Sequence, residues 1–224
     1  MKPSIILFDV NETLSDMSPM GQRFVDVGAP ALVAKLWFAT LLRDGFALTA
    51  AGDSGSFAGI GAEALRGLLT GMDLNRDTEA AVEYVMAGFS GLGLHPDVVA
   101  GVKALHAGGH RLATLTNGNT KVAEDLFTAA GIRGDFDLLL SVEDAPSWKP
   151  GRASYEYAAS TCGVRPEEVL LVAVHPWDIH GASRAGLATA WINRAGGPYP
   201  DYFHAPDYTV SALAELAPAL SGES

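Results

Sequence analysis

The segment Ile5-Ile6-Leu7-Phe8-Asp9-Val10-Asn11-Glu12-Thr13-Leu14 decides how the rest of the chain is read. Its apolar opening followed by a polar turn suits a short strand buried on both faces, the kind found inside parallel sheets. The run then ends on an acid. A carboxylate at the mouth of an apolar strand is costly to bury unless neighbours reward its charge, so Asp9 is either a turn-capping residue or the seed of a site.

Working outward, similar apolar runs recur at 111–115, 137–141, 169–174 and 188–192, and the first strand is expected over 4–8. Helical patterns over 98–107, 121–130 and 153–162 lie between them, closed by Gly108, Gly131 and Gly163. Strand alternating with helix predicts an α/β fold with a doubly wound parallel sheet, right-handed crossovers and a ligand site beyond the carboxyl ends of the strands. One stretch interrupts the alternation. Residues 15–95 hold no convincing strand but carry apolar helical stretches at 31–48, 61–69 and 79–88, with Gly-rich joints around them. This segment reads as a helical cap inserted after the first strand and placed over the active-site end of the sheet. Residues 90–96 form its return joint, so 1–14 and 96–224 make the α/β core.

Composition narrows the function. The 224 residues are 48% hydrophobic and 18% charged, with a formal charge of −11 and only 15 Lys and Arg. Nucleic acid and anionic membrane surfaces need a concentrated basic patch and are poor partners for such a chain. A small anionic substrate would depend on a few local cations. The single Cys162 cannot form an internal disulfide, which fits a reducing cytoplasm, and its helical setting suits a structural thiol. The N-terminal run is broken by Asp9 and does not read as a signal peptide, and no stretch approaches the roughly 20 apolar residues of a membrane span.

Three further segments follow predicted strands. Leu115-Thr116-Asn117-Gly118-Asn119 offers a hydroxyl, an amide and a glycine turn that could face an anion. Ser147-Trp148-Lys149-Pro150 places a lysine at a strand mouth, where at about 4 Å and intermediate screening it would attract a carboxylate by about 4 kcal/mol. Val174-His175-Pro176-Trp177-Asp178 brings a second acid. Alone, each is an ordinary turn or loop. Together, Asp, Thr-Asn, Lys and Asp stand in order at successive strand ends.

That ordered set resembles the haloacid dehalogenase superfamily: FDVNETL is similar to its first motif, LTNG to its second, Lys149 to its third and HPWD to its fourth. Phosphatases of the superfamily carry a second acid two residues after the nucleophile, where this chain has Asn11, and paired acids for magnesium, where only Asp178 is evident. The 2-haloacid dehalogenase branch, with FDAYGTL, SNG, K-P and WD, is the better likeness. The resemblance implies that Asp9 displaces halide from carbon to form an ester, which water then cleaves, with no metal or cofactor. It implies that Lys149 orients Asp9 and keeps it ionised. It further implies that Asn11, Thr116 and Asn117 meet the substrate carboxylate or the halide, that Tyr155 and Asp178 position polar groups, and that Phe57 and Trp177 wall the site.

Two departures matter. The family often has an Arg after the Trp of its cap helix, whereas this chain has Trp37-Phe38, and Arg43 is spaced to point elsewhere on the helix. His175 stands where many relatives have Asn, and with Glu12 it could form a pair that draws a proton from the hydrolytic water. His95, His106, His110 and His204 read as surface residues, and His180 lies near the fourth motif without an assigned role. A magnesium-dependent phosphatase using Asp9 and Asp178, and a non-catalytic binding protein on the same fold, are the competing readings. The apolar cap surfaces make a homodimer reasonable.

Overall fold

The structure, a computed structural model, describes residues 3–222. These residues form two compact units: Asp16–Gly93 is one, and the described residues up to Ser15 together with those from Leu94 onward are the other. Strand β1 (Ile5–Phe8) opens the chain. Helices α1 (Met20–Val25), α2 (Val33–Ala51), α3 (Phe57–Leu69) and α4 (Thr78–Ser90) make the helical unit. Its core is aromatic. Trp37 is buried between the rings of Phe24 and Phe89 and donates its indole N–H to the Gly61 carbonyl at 2.9 Å. Ser56 and Asp77 start α3 and α4 by accepting the backbone N–H of Gly59 and Ala80, which satisfies donors the first turn leaves open.

The other unit alternates α5 (Val98–Ala107), β2 (Arg111–Thr116), α6 (Thr120–Ala129), β3 (Leu138–Ser141), α7 (Arg152–Thr161), β4 (Val169–Ala173), α8 (Pro176–Arg184), β5 (Ala188–Ile192), β6 (Tyr208–Val210) and α9 (Leu216–Ser221). The sheet order is β3-β2-β1-β4-β5-β6, and every strand pair is parallel. This is the expected α/β fold with a parallel sheet. The two central strands β1 and β4 are apolar and buried throughout, as strands covered on both faces should be; Ile6, Phe8, Leu112, Leu170 and Val172 pack with Val98, Val102 and Leu105 of α5 and with Phe127 of α6. Each such fully buried side chain contributes about 1.5–3 kcal/mol against its exposed state.

Four elements were not expected from the sequence: α1, α8, β6 and α9. Three to nine residues long, they are too short for their hydrophobic period to show. Cys162 is buried, and burial pushes its thiol above the ordinary range, in keeping with a structural role. Among the described residues no helix is long and apolar enough to cross a membrane.

Candidate active site

β1 sits at the centre of the sheet between β2 and β4, so whatever follows Phe8 lies where the ends of three strands meet. The Asp9 amide continues the ladder by donating to the Val172 carbonyl at 3.0 Å, and the residue is 3% exposed. Burying this carboxylate is tolerable because both oxygens are taken up. Oδ1 accepts from Lys149 Nζ at 2.8 Å; Oδ2 accepts from Thr13 Oγ1 at 2.6 Å and lies 3.2 Å from His175 Nδ1. Lys149, fully buried, also donates to Asp178 Oδ2 at 2.6 Å. Asp178 is fully buried in the first turn of α8, where the helix dipole favours a negative charge, and its other oxygen accepts from Tyr155 at 2.6 Å.

The electrostatics follow from this wiring. Burial alone would push the Asp9 carboxyl up, but the Lys149 charge and the His175 hydrogen bond and charge outweigh it and hold Asp9 far below the usual carboxylate range. Burial would likewise strip Lys149 of its proton, yet Asp178 and Asp9 together raise its affinity for it. Asp178 moves the other way: burial and the nearby Asp9 charge raise it despite Lys149. Burial, with Asp178 beside it, pushes the Tyr155 phenol well above its ordinary range, so it serves as a hydrogen-bond donor. His175 is pulled down by burial and up more strongly by its bonds to Asp9 and Glu12, reaching about 9.

The His175 to Glu12 distance is 2.8 Å, from Nε2 to Oε2, so adjacent strands β1 and β4 do bring those two loops together. Trp177 stacks on the imidazole with ring centroids 5.0 Å apart, and its face lies 5.9 Å from Lys149 Nζ. Among the described residues Glu12 is the one non-glycine residue with a positive φ, 61°. A side chain in that left-handed region costs roughly 1–2 kcal/mol, so the turn must be held by its surroundings. Main-chain bonds from Leu14 and Ser15 to the Val10 carbonyl close it, and His95 Nε2 meets the Glu12 carbonyl at 3.0 Å.

The remaining expected residues fall into distinct places. Thr116 ends β2 buried, its hydroxyl accepting the Gly118 N–H at 3.0 Å. The Asn117 amide is committed to the Lys149 backbone in both directions, donating to its carbonyl at 3.3 Å and accepting its N–H at 3.1 Å. Tyr155 reaches Asp178 rather than open space. Both polar groups thus brace the lysine–aspartate cluster from behind, because each is buried with its partners already in range. Asn11 lies beside Gly118, where an added Cβ would stand 3.3 Å from its amide nitrogen. Phe57 belongs to the helical unit, stacked on Phe89 at 5.3 Å and near Phe38, as core packing requires. Arg43 is 70% exposed and pairs with its neighbour Asp44. Gly181 of α8 is needed for close approach: a Cβ there would meet Pro150 and the Tyr155 hydroxyl, both at 2.6 Å.

Two groups beside the site escape a reading of the sequence. Thr13 bridges Asp9 and the Val174 amide, which donates to its hydroxyl at 3.1 Å; its only signal is its place four residues after the acid. His95 reads as a surface residue, and nothing in its local sequence points to Glu12.

Comparison with known proteins agrees with this architecture. Residues 3–186 match the model of the haloacid dehalogenase-like hydrolase family. The (S)-2-haloacid dehalogenase 4A of Burkholderia cepacia is 32% identical over 218 residues, covering 96% of this chain and 94% of that protein. A solved L-2-haloacid dehalogenase superposes with a TM-score of 0.90 at 26% identity, covering 99% of this chain and 100% of the other. A dehalogenase solved as an intermediate complex gives 0.89 at 29% identity over 97% of each chain. This chain belongs to the haloacid dehalogenase-like hydrolases, in their 2-haloacid dehalogenase branch.

Proposed function

We propose that the chain is a hydrolytic dehalogenase of short 2-haloalkanoic acids, with Asp9 as its nucleophile. The observation that carries this reading is the state of Asp9: buried, ionised, and held in one orientation by Lys149 and Thr13 at the mouth of the central strand. An ionised oxygen stripped of water is a strong nucleophile toward carbon.

In the first step an Asp9 oxygen bonds to C2 as the carbon–halogen bond breaks, and halide leaves with the electron pair. Halide needs no proton, so neither an acid at position 11 nor a metal is called for. Thr116 and Asn11 stand at the neighbouring strand end, and in this proposal they meet the substrate carboxylate or the departing halide, while Asn117 holds the Lys149 backbone in place. In the second step water attacks the Asp9 carboxyl carbon, not C2. His175 Nδ1 takes the water's proton while Glu12 holds the other ring proton on Nε2. Collapse breaks the carbon–oxygen bond to the product, whose oxygen accepts that proton; the regenerated Asp9 carboxyl then passes the second water proton to His175 and returns to its ionised form, and a 2-hydroxy acid inverted once at C2 is released.

The base falls to His175 rather than Asp178 because both Asp178 oxygens already carry short hydrogen bonds, from Tyr155 and Lys149. The same saturation disfavours a magnesium-dependent phosphatase. Asp178 has no open edge for a cation while Lys149 holds it, and Asn11 cannot protonate a leaving alcohol. Halide release from 2-chloropropionate in chelator, followed in heavy-oxygen water, is the test. Label in the Asp9 side chain supports the ester route; turnover that leaves Asp9 unlabelled overturns it.

A further inference from the structure

Glu12 occupies the position that is glycine in the FDAYGTL motif this chain resembles, and it keeps the left-handed backbone that suits glycine, φ 61°. A side chain retained in that conformation needs a reason and a restraint. The reason is visible at its tip, 2.8 Å from His175 Nε2. The restraint comes from a different part of the chain. Leu94 bridges Ser15, the His95 amide donates to the Leu14 carbonyl at 2.9 Å, and the half-buried His95 ring places Nε2 3.0 Å from the Glu12 carbonyl.

From this arrangement we infer that His95 is a positioning residue for water activation: by holding the Glu12 carbonyl it fixes the strained turn so that the Glu12 carboxylate meets the His175 ring. The inference rests on the reading of His175 and Glu12 as the base pair. In the Nε2–H form His95 donates to the carbonyl and touches neither the nucleophile nor the imidazole. The next carbonyl, that of Thr13, is held separately by Arg194 Nη1 at 2.9 Å, whose other nitrogen binds Asp97. Loss of His95 therefore loosens Glu12 while Thr13 and Asp9 stay in place. Such a residue should act on the hydrolysis of the ester and spare its formation.

The test separates those two steps. With enzyme in excess over 2-chloropropionate, halide release reports ester formation, and mass spectrometry of the quenched Asp9 peptide reports ester decay. In His95→Ala, halide release should stay within about twofold of the parent while ester decay slows about tenfold, part of the 10²–10⁴ a general base supplies. His95→Gln, which keeps an N–H donor, should recover most of that loss, which separates the donor's role from a folding defect. In a Glu12→Gly background, where there is no carboxylate to aim and no strain to hold, His95→Ala should add nothing. An unchanged ester lifetime in His95→Ala, or the same tenfold slowing with Glu12 already removed, overturns the positioning role alone. Parental ester decay in Glu12→Gly itself overturns the base pair and the positioning role together.

Discussion

Replacing Lys149 by Met tests the feature on which the proposed chemistry depends. Met has a similar reach and carries no charge, so the change isolates electrostatics from packing. The ammonium lies 2.8 Å from Asp9 and 2.6 Å from Asp178, all three side chains being almost wholly buried. At an effective dielectric near 20, one such contact is worth about 6 kcal/mol, an upper figure before the site relaxes. Removing one member of a buried ion pair costs about 3–5 kcal/mol in practice, which corresponds to roughly 2–4 units of carboxylate titration. The sign is fixed by the direction of the shift. A carboxylate depressed in the folded protein contributes stability above its unfolded value, 3.8, and loses it as the pH falls through its folded value. Without Lys149 the larger part of that contribution is lost, leaving His175 alone to hold Asp9 down, and one proton settles between Asp9 and Asp178. The single-turnover rate of halide release, followed from acid to neutral pH, should acquire an acid limb absent from the parent and recover as the pH rises. Urea unfolding at neutral pH should show the loss of stability. A folded Lys149→Met protein that releases halide with the parental pH profile would falsify the claim that this lysine keeps Asp9 ionised.

His175 gives the opposite pH signature. Its folded value is raised from 6.5 to about 9, so its contribution is complete below 6.5 and is lost as the pH climbs through 9. Over that window, urea midpoints should record about 3 kcal/mol of lost stability, and His175→Asn should flatten this slope; an unaltered slope would place its origin elsewhere. His175→Ala should still release a first equivalent of halide but turn over about 10²-fold more slowly with the Asp9 ester accumulating, and a steady state without detectable ester counts against the base. Gly181→Ala forces a methyl into space held by Pro150 and the Tyr155 hydroxyl at 2.6 Å, and should cost about 1–3 kcal/mol in thermal unfolding along with slower ester formation; a neutral result would show that α8 shifts freely.

The first five strands were legible because each is a short, mostly apolar run between turn residues. The expected 98–107 helix matches α5 residue for residue. The cap helices were legible in kind but shifted at their ends, α3 beginning four residues before the expected 61 because its Ser56 cap lies among glycines that carry no periodic signal. Of the site, the charged groups could be read from their places after successive strands, since parallel topology brings such ends together. The division of labour around them could not. That Asn117 and Tyr155 face the protein interior depends on rotamers and on which partner comes within 3.3 Å, neither of which is encoded in spacing. The Glu12 strain could not be read because a left-handed φ announces itself only when glycine occupies it.

The position of His175 between two carboxylates resolves an apparent conflict in its proposed role. Raised to about 9, the imidazole is protonated in the resting site near neutral pH and cannot take a proton from water. In that state it is useful in another way, since its N–H and its charge help to hold Asp9 ionised for attack. Ester formation removes the Asp9 negative charge and with it both the hydrogen bond and the attraction that raised His175. Burial, which opposes a charged imidazole, then weighs more heavily against Glu12 alone, and the proton affinity of the ring falls. The ring releases its Nδ1 proton to solvent after the first step, the one proton that net dehalogenation yields along with halide, and presents a lone pair toward the carboxyl carbon that water must attack, while Glu12 retains the tautomer through Nε2. Asp178 undergoes no such change, because Lys149 and Tyr155 remain bound to it before and after. One side chain can therefore serve the two steps in succession, with the covalent state of Asp9 selecting which.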